Sequence, residues 1–198
     1  MALSDNIWWT RKAKIQAEER LLSNAFQSQI LLLWYSFSGV AASVYYLTNS
    51  TVEGADVAWV VFSVLTLSIS GFINGLSFKE RASLIKECYE TMHELYMKAR
   101  NDEEDNDNSC AQELSNEYSQ ILGVCENHRP IDYYKALCVE HISSIEEVDP
   151  RTRFKNGLDR GPARYHWFYV VLWFVRRFFV LAILYLLPAF IAAFVYLL

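Results

Sequence analysis

The chain has 198 residues, of which 53% are hydrophobic, 15% aromatic and 21% charged. That mixture is foreign to an ordinary soluble domain and fits apolar blocks separated by a charged one. The net charge of −5 excludes the basic face expected of a nucleic-acid binder, so no direct nucleic-acid partner is expected.

The first predicted element is an N-terminal amphipathic helix, residues 1–26. Trp8, Ile15 and Leu22 recur every seven residues along Asp5–Asn24 and predict the face that joins other helices. The first long apolar run comes late and follows this charged helix, so no removable signal peptide is read. That run, "ILLLWYSFSGVAASVYYL" from Ile30 to Leu47, holds 18 uncharged residues, the lower end of spanning length. "TNSTVEGA" makes a short polar turn, and its Asn49-Ser50-Thr51 is a formal glycosylation sequon. "VAWVVFSVLTLSISGFINGLSF" then runs uncharged from Val57 to Phe78. Residues 27–78 therefore read as a transmembrane hairpin. Arg11, Lys12, Lys14 and Arg20 precede it, Lys79, Arg81 and Lys86 follow it, and its connecting loop carries only Glu53 and Asp56. The positive-inside rule places the N-terminus and the middle block in the cytosol. Tyr45, Tyr46 and Trp59 fall at the level of the outer interface.

The hairpin carries a polar pattern. At about 100° per residue, Ser63, Thr66, Ser70, Asn74 and Ser77 share one sector of the second span, and Ser36, Gly39, Ser43 and Tyr46 share a face of the first. Gly71 and Gly75 form a GxxxG helix-contact pair on the adjoining sector. Small polar faces seek another helix or water rather than lipid. Two readings stay open: close packing of the hairpin, or the lining of a conduction path in a self-assembled oligomer.

Residues 79–164 read as a cytosolic helical domain. "KERASLIKECYETMHELYMKAR" continues the second span with Leu84, Ile85, Cys88, Met92, Leu95 and Tyr96 at helical spacing. "NDEEDNDNS" reads as a solvated loop without the EF-hand glycine. "SCAQELSNEYSQILGVCEN" predicts a helix with Leu114, Tyr118, Ile121, Leu122 and Cys125 inward, and Pro130 starts the next. Cys88, Cys110, Cys125 and Cys138 show no CxxC and no zinc spacing, so they read as small buried side chains, reduced in the cytosol. "DPRTRFKNGLDRGPAR" is a basic loop returning to the membrane surface.

Residues 165–198 form an interfacial segment and a third span. Tyr165–Leu198 would be about 50 Å long at ~1.5 Å per residue, more than a hydrocarbon core of roughly 30 Å. Phe178–Leu198 matches the core, which leaves Arg176 and Arg177 at the cytosolic headgroups, either as topology markers or as a charged ring at a pore mouth. Pro188 frees the carbonyl of Leu184 and predicts a kink. Ala182, Tyr185, Ala189, Ala193 and Tyr196 offer a small-residue contact face. No P-loop, GxSxG, HExxH or intramembrane carboxylate pair occurs, so no catalytic residue, cofactor or metal site is assigned.

"ERLLSNAFQSQILLLWYSFSGVAASVYYL" and "WVVFSVLTLSISGFINGLSFKERASLIKECYETMHELY" give the layout from Ala2 to Ile145 a resemblance to the SLATT proteins. The resemblance implies a non-enzymatic effector of prokaryotic conflict systems in the bacterial inner membrane. It also implies partners: the lipid bilayer, further copies of the chain, and a sensor, nucleotide-signal synthase or reverse transcriptase. Activation would make such a protein oligomerise and breach the membrane, aborting phage infection. A constitutive scaffold or accessory subunit is the alternative, and a membrane enzyme is the third reading. The expected fold is an all-α membrane protein: a transmembrane hairpin, a third C-terminal span and a cytosolic helical bundle.

Overall fold

A computed structural model describes residues 2–48, 55–104, 111–148, 155 and 158–197. The described residues form six helices: α1 Leu3–Thr48, α2 Ala55–Gly75, α3 Phe78–Glu104, α4 Ala111–Val124, α5 Pro130–Ser143 and α6 Arg164–Leu197. No strand occurs among the described residues. The predicted sequon lies outside them, as do Asp105–Ser109 of the acidic stretch and most of the basic return loop.

The helices group into two compact units. One holds Met1–Leu22 and Lys79–Phe174; the other holds Ser23–Phe78 and Val175–Leu198. One division therefore falls inside α6, at Phe174–Val175. The predicted N-terminal helix and first span are one continuous helix. Nothing in "NAFQSQ" between them, neither glycine nor proline, can stop propagation.

The expected straight run from the second span into the charged helix is interrupted. Ile73 and Asn74 carbonyls accept the N–H groups of Leu76 and Ser77 in two tight turns. Ser77 then adopts a left-handed φ of 45°, a conformation that costs a non-glycine residue roughly 1–2 kcal/mol. Ser77 thus ends α2 and does not prolong its polar stripe.

In the first unit, α3 buries Ala82, Ile85, Cys88, Met92, Leu95 and Ala99 at steps of three and four, the period of one helix face. Leu84, expected inside, is exposed. Leu114 of α4 closes this core, with Tyr118, Ile121, Leu122 and Cys125 packed against it. The first four residues of the expected acidic loop, Asn101–Glu104, instead extend α3. Their placement has a use: the Glu103 carboxylate accepts the backbone N–H and hydroxyl of Ser4, satisfying one of the orphan backbone donors that open α1. Pro130 occupies the first turn of α5, where its missing N–H costs nothing.

The face by which α1 joins this core differs from the heptad of large residues. Ile7, Trp9, Ala13, Ala17 and Leu21 are buried, whereas Leu22 is exposed. Small alanines let α1 approach closely, and the same face carries two charges inward. Lys14 is fully buried and Arg20 nearly so. Arg20 makes a bidentate pair with the buried carboxylate of Asp132, Nε–Oδ1 at 2.9 Å and Nη2–Oδ2 at 3.0 Å. Asp132 also accepts the N–H of Arg129 at 2.9 Å.

Candidate functional site

The second unit has the reverse solvent logic. Its outer surface is apolar: Leu33, Phe37 and Val40 on α1, Leu67 and Phe72 on α2, and Phe178 and Phe190 on α6 are all exposed, Leu67 by 75%. Each such side chain left in water forfeits roughly 1.5–3 kcal/mol of burial, so a surface made of them matches lipid instead. Two described helical runs have the length and hydropathy to cross a bilayer. They are Val57–Glu104, taken across the Ser77 break, and Arg164–Phe194, which hold 18-residue stretches of mean hydropathy 1.8 and 2.2. The run Ile30–Leu47 is not one of these two; it is marked instead by the exposed apolar face of α1.

Inside this unit, Tyr35, Trp59 and Phe62 form the buried centre. Trp59, placed by sequence at the outer interface level, turns inward and is only 3% exposed. Its ring lies 6.4 Å from that of Tyr46 and 5.4 Å from that of Phe62. A Cβ built on Gly39 would meet Ser63 Oγ at 3.6 Å and Phe62 carbons at 3.8 Å. The pairs 46 with 59 and 39 with 63 run in opposite senses, so α1 and α2 are antiparallel.

The two polar faces meet here. Ser36, Gly39 and Ser43 of α1 and Ser63, Thr66 and Ser70 of α2 line one groove of about 450 Å3, with aliphatic side chains between them. Thr66 sits in the packed face, while Ser63 is at the rim. The hydroxyls turn back on their own helices: Ser36 to Leu32 O at 2.9 Å, Ser43 to Gly39 O at 2.8 Å, Ser63 to Trp59 O at 2.9 Å and Thr66 to Phe62 O at 2.9 Å. Each donor is thereby satisfied without bridging the helices, and each oxygen keeps acceptor capacity toward the groove. Asn74 and Ser77 do not line it. Asn74 is exposed, and a Cβ at Gly71 or Gly75 would meet nothing within 4 Å. Among the described residues, then, no neighbour sits over the GxxxG pair.

The third helix docks through its proline. Pro188 cannot donate to Leu184 O, and the hydroxyl of Tyr35 does so instead at 2.8 Å. One residue on, Trp34 Nε1 donates to Tyr185 O at 3.0 Å. A carbonyl freed in hydrocarbon costs several kcal/mol unless a neighbour satisfies it, so these donors on α1 make the α6 proline tolerable. The face in use runs through Tyr185, buried Pro188, Ile191 and Ala192. Ala189 and Ala193, expected in contact, are exposed.

Arg177 Nη2 donates to Ser23 Oγ at 2.9 Å, and Tyr185 Oη to Gln27 Oε1 at 3.0 Å. Arg176 is exposed. The pairs 23 with 177 and 35 with 184 advance together, so α1 and α6 run parallel. Sequence reasoning named the freed Leu184 carbonyl but not its donors. In the sequence, Tyr35 and Trp34 are marked only as aromatics with a polar hydrogen that seeks an acceptor; Tyr35 is buried and Trp34 exposed.

Beyond the membrane unit, a charged cluster was not foreseen. The Arg81 guanidinium forks onto Glu126 at 2.8 and 2.6 Å, holding that carboxyl below its usual range. Lys14 Nζ reaches Cys125 Sγ at 2.9 Å and Glu126 O at 3.1 Å. The turn from Cys125 to Arg129 therefore gathers α1 and the first turns of α3. Cys88 and Cys125, expected as separate thiols, are disulfide-bonded. Cys138 is a buried free thiol, pushed up to about 11 by desolvation and so chemically quiet. Among the described residues no group of three or more potential metal ligands occurs.

Comparison with curated proteins and with solved structures finds no match. The family model of the SMODS and SLOG-associating 2TM effector domain, family 5, matches residues 1–195. Spanning nearly the whole chain, that match joins the lipid-matched surface of the second unit to a single assignment: the chain belongs to the SMODS and SLOG-associating 2TM effector family 5 and is a membrane effector.

Proposed function

We propose that this effector acts in anti-phage defence by self-associating in the bacterial inner membrane and forming or gating a pore there. Three crossings are read: Ile30–Leu47, Val57–Phe78 and Phe178–Leu198, with the N-terminus and the charged unit in the cytosol. The parallel α1 and α6 with antiparallel α2 support that count. Arg177 paired with Ser23, seven residues before the first apolar run, supports the headgroup level for Arg176 and Arg177. A signalling protein of the SMODS or SLOG kind is the partner suggested by the family's description.

One observation carries the pore reading. The serines and threonine of α1 and α2 do not seal the hairpin; they face a groove of about 450 Å3. Packing alone would use small residues to close backbones together, and even at Gly39 a Cβ would make only ordinary contact with the side chains of Ser63 and Phe62. A groove with acceptor oxygens accommodates water once further copies complete the wall. Reconstitution tests it. Wild-type protein, oligomerised in liposomes, releases a small trapped dye, and Ser63→Leu with Ser70→Leu slows release while leaving oligomer size unchanged. Oligomers that retain every small ion would defeat the pore.

A second reading, a non-conducting scaffold, is favoured by the hydroxyl donors being spent on their own helices. In that case the same double variant changes oligomer size and no separate conduction defect follows.

A further inference from the structure

We propose that Cys88 and Cys125 form a thiol–disulfide exchange site whose co-reactant is a small monothiol of the glutathione class. The two residues tie α3 to the end of α4 across 37 positions, with Cα atoms 6.5 Å apart. Two features distinguish the pair from an inert staple.

The first is Lys14. Its side chain is fully buried, and its ammonium faces Cys125 Sγ and a single carbonyl oxygen. A bonded disulfide sulfur is a weak acceptor, so the cation is poorly compensated while the bond is intact. Burial accordingly lowers the Lys14 ammonium below the usual lysine range, with Glu126 acting the other way. Reduction puts a thiolate on Cys125, an anion in direct contact with the buried ammonium, whose other near charge, Glu126, touches it only through a backbone carbonyl. A disulfide whose reduced form is stabilised in this way is the more readily reduced one.

The second is access. A groove of about 360 Å3 has both cysteines in its wall, together with Leu84, Glu87, Thr91 and Gln120. That is room for a small thiol. The cytosolic placement proposed above supplies one, and a disulfide in that compartment belongs to the transient, redox-responsive kind. The inference rests on that placement only for the identity of the thiol.

The step follows thiolate chemistry. A small thiolate attacks Cys88 Sγ; the Cys88–Cys125 bond breaks, and Cys125 leaves as a thiolate beside the Lys14 ammonium. The lower the leaving thiol's pKa, the faster it departs. A second small thiolate attacks the sulfur of the bound one, forming the small-molecule disulfide, and Cys88 leaves and takes a proton. Two electrons pass from two small thiols to the pair, and the oxidised small disulfide reverses the sequence.

The full chain in detergent, carrying Cys110→Ser and Cys138→Ser, tests this. It is equilibrated in buffers of varied reduced-to-oxidised glutathione, quenched in acid, alkylated with a heavy maleimide and read by gel shift. The expected result is a change from no thiol to two across the glutathione range. Lys14→Met should demand a ratio about tenfold more reducing, which corresponds to about 30 mV. A pair that stays oxidised in excess reduced glutathione, or never oxidises, overturns the proposal, as does an unmoved midpoint in a folded Lys14→Met. Should that variant fail to fold, the alkylation rate of Cys125 against pH, in Cys88→Ser protein, decides. A midpoint below about 8.5 supports the site, and one at or above it rejects it. Sidedness is measured apart, by impermeant labelling of whole cells. An exchange site found on the wrong side would overturn the placement and leave the chemistry standing.

Discussion

The two units solve opposite problems with the same secondary structure. The first, built on α3, α4, α5 and the start of α1, hides apolar side chains and exposes charge, yet buries an Arg20–Asp132 pair at its centre. The second exposes Leu67, Phe72 and Phe178 and turns the Thr66 hydroxyl and a proline-freed carbonyl inward. Helix propensity does not separate them. What separates them is where an unsatisfied polar group would be most costly. In the first unit that is a buried charge, met by another charge. In the second it is a backbone carbonyl without water, met by an aromatic donor.

The largest expected effect breaks the first arrangement. Asp132→Ala leaves Arg20 charged and almost wholly buried without its bidentate partner, and it removes the acceptor of the Arg129 N–H at the head of α5. Stripping one partner from a buried pair costs about 3–5 kcal/mol. Thermal unfolding of the full chain in detergent should show the melting transition of the first unit falling steeply. Replacing Arg20 and Asp132 together by Met and Leu should return most of that loss. If the double variant is no better than Asp132→Ala, the pair's geometry rather than its charge is what matters.

A smaller effect tests the second unit. Tyr35→Phe takes the donor from Leu184 O, an unsatisfied acceptor worth about 1–3 kcal/mol. Pro188→Ala restores an amide N–H that reaches the same carbonyl along the helix. Tyr35→Phe should therefore cost markedly less in the Pro188→Ala background, a coupling read from a double-mutant cycle in denaturant. Equal costs in both backgrounds would separate the tyrosine from the proline and sever the proposed logic of α6 docking.

These features mark what the sequence could and could not tell. Hydropathy, the three-to-four spacing and Pro130 pointed to the helical stretches among the described residues, because periodicity and hydropathy are averages over many residues, but they did not show that the N-terminal helix and the first span are one. The groove takes up the polar stripe only as far as Ser70; Asn74 lies outside it and is exposed, and Ser77 leaves the helix, since a single left-handed residue resets the helical phase and no local signal marks a serine for that role. Face assignment on α1 failed for a different reason. Trp8, Ile15 and Leu22 carry more apolar area than Ala13 and Ala17, yet close approach to α3 and α5 selects the small residues, and partners elsewhere in the chain make Lys14 and Arg20 fit to bury. The cysteine pairing likewise depends on which turn of α4 ends against α3, a tertiary fact absent from the spacing of 37.

The smallest effect sharpens the contrast by pH. His128 sits on the turn before α5, facing Lys14 of α1, Asp132 of α5 and the ring of Tyr133 at 6.4 Å, and its buried Nδ1 has no hydrogen-bond partner among the described residues. Burial lowers its pKa below 6.5, Lys14 lowers it further, and Asp132 opposes both. Between the lowered value and 6.5 the unfolded chain binds a proton that the folded chain refuses. Stability of the first unit is therefore unaffected above 6.5 and declines as pH falls below it, until the folded histidine itself titrates. Melting temperature followed from pH 8 to pH 5 should show that decline, and His128→Gln should flatten part of it. The hydroxyl groove of the second unit contains no group that titrates in this range, so its own transition should stay level over the same interval. A decline shared equally by both transitions would mean that the acid-sensitive group is not His128.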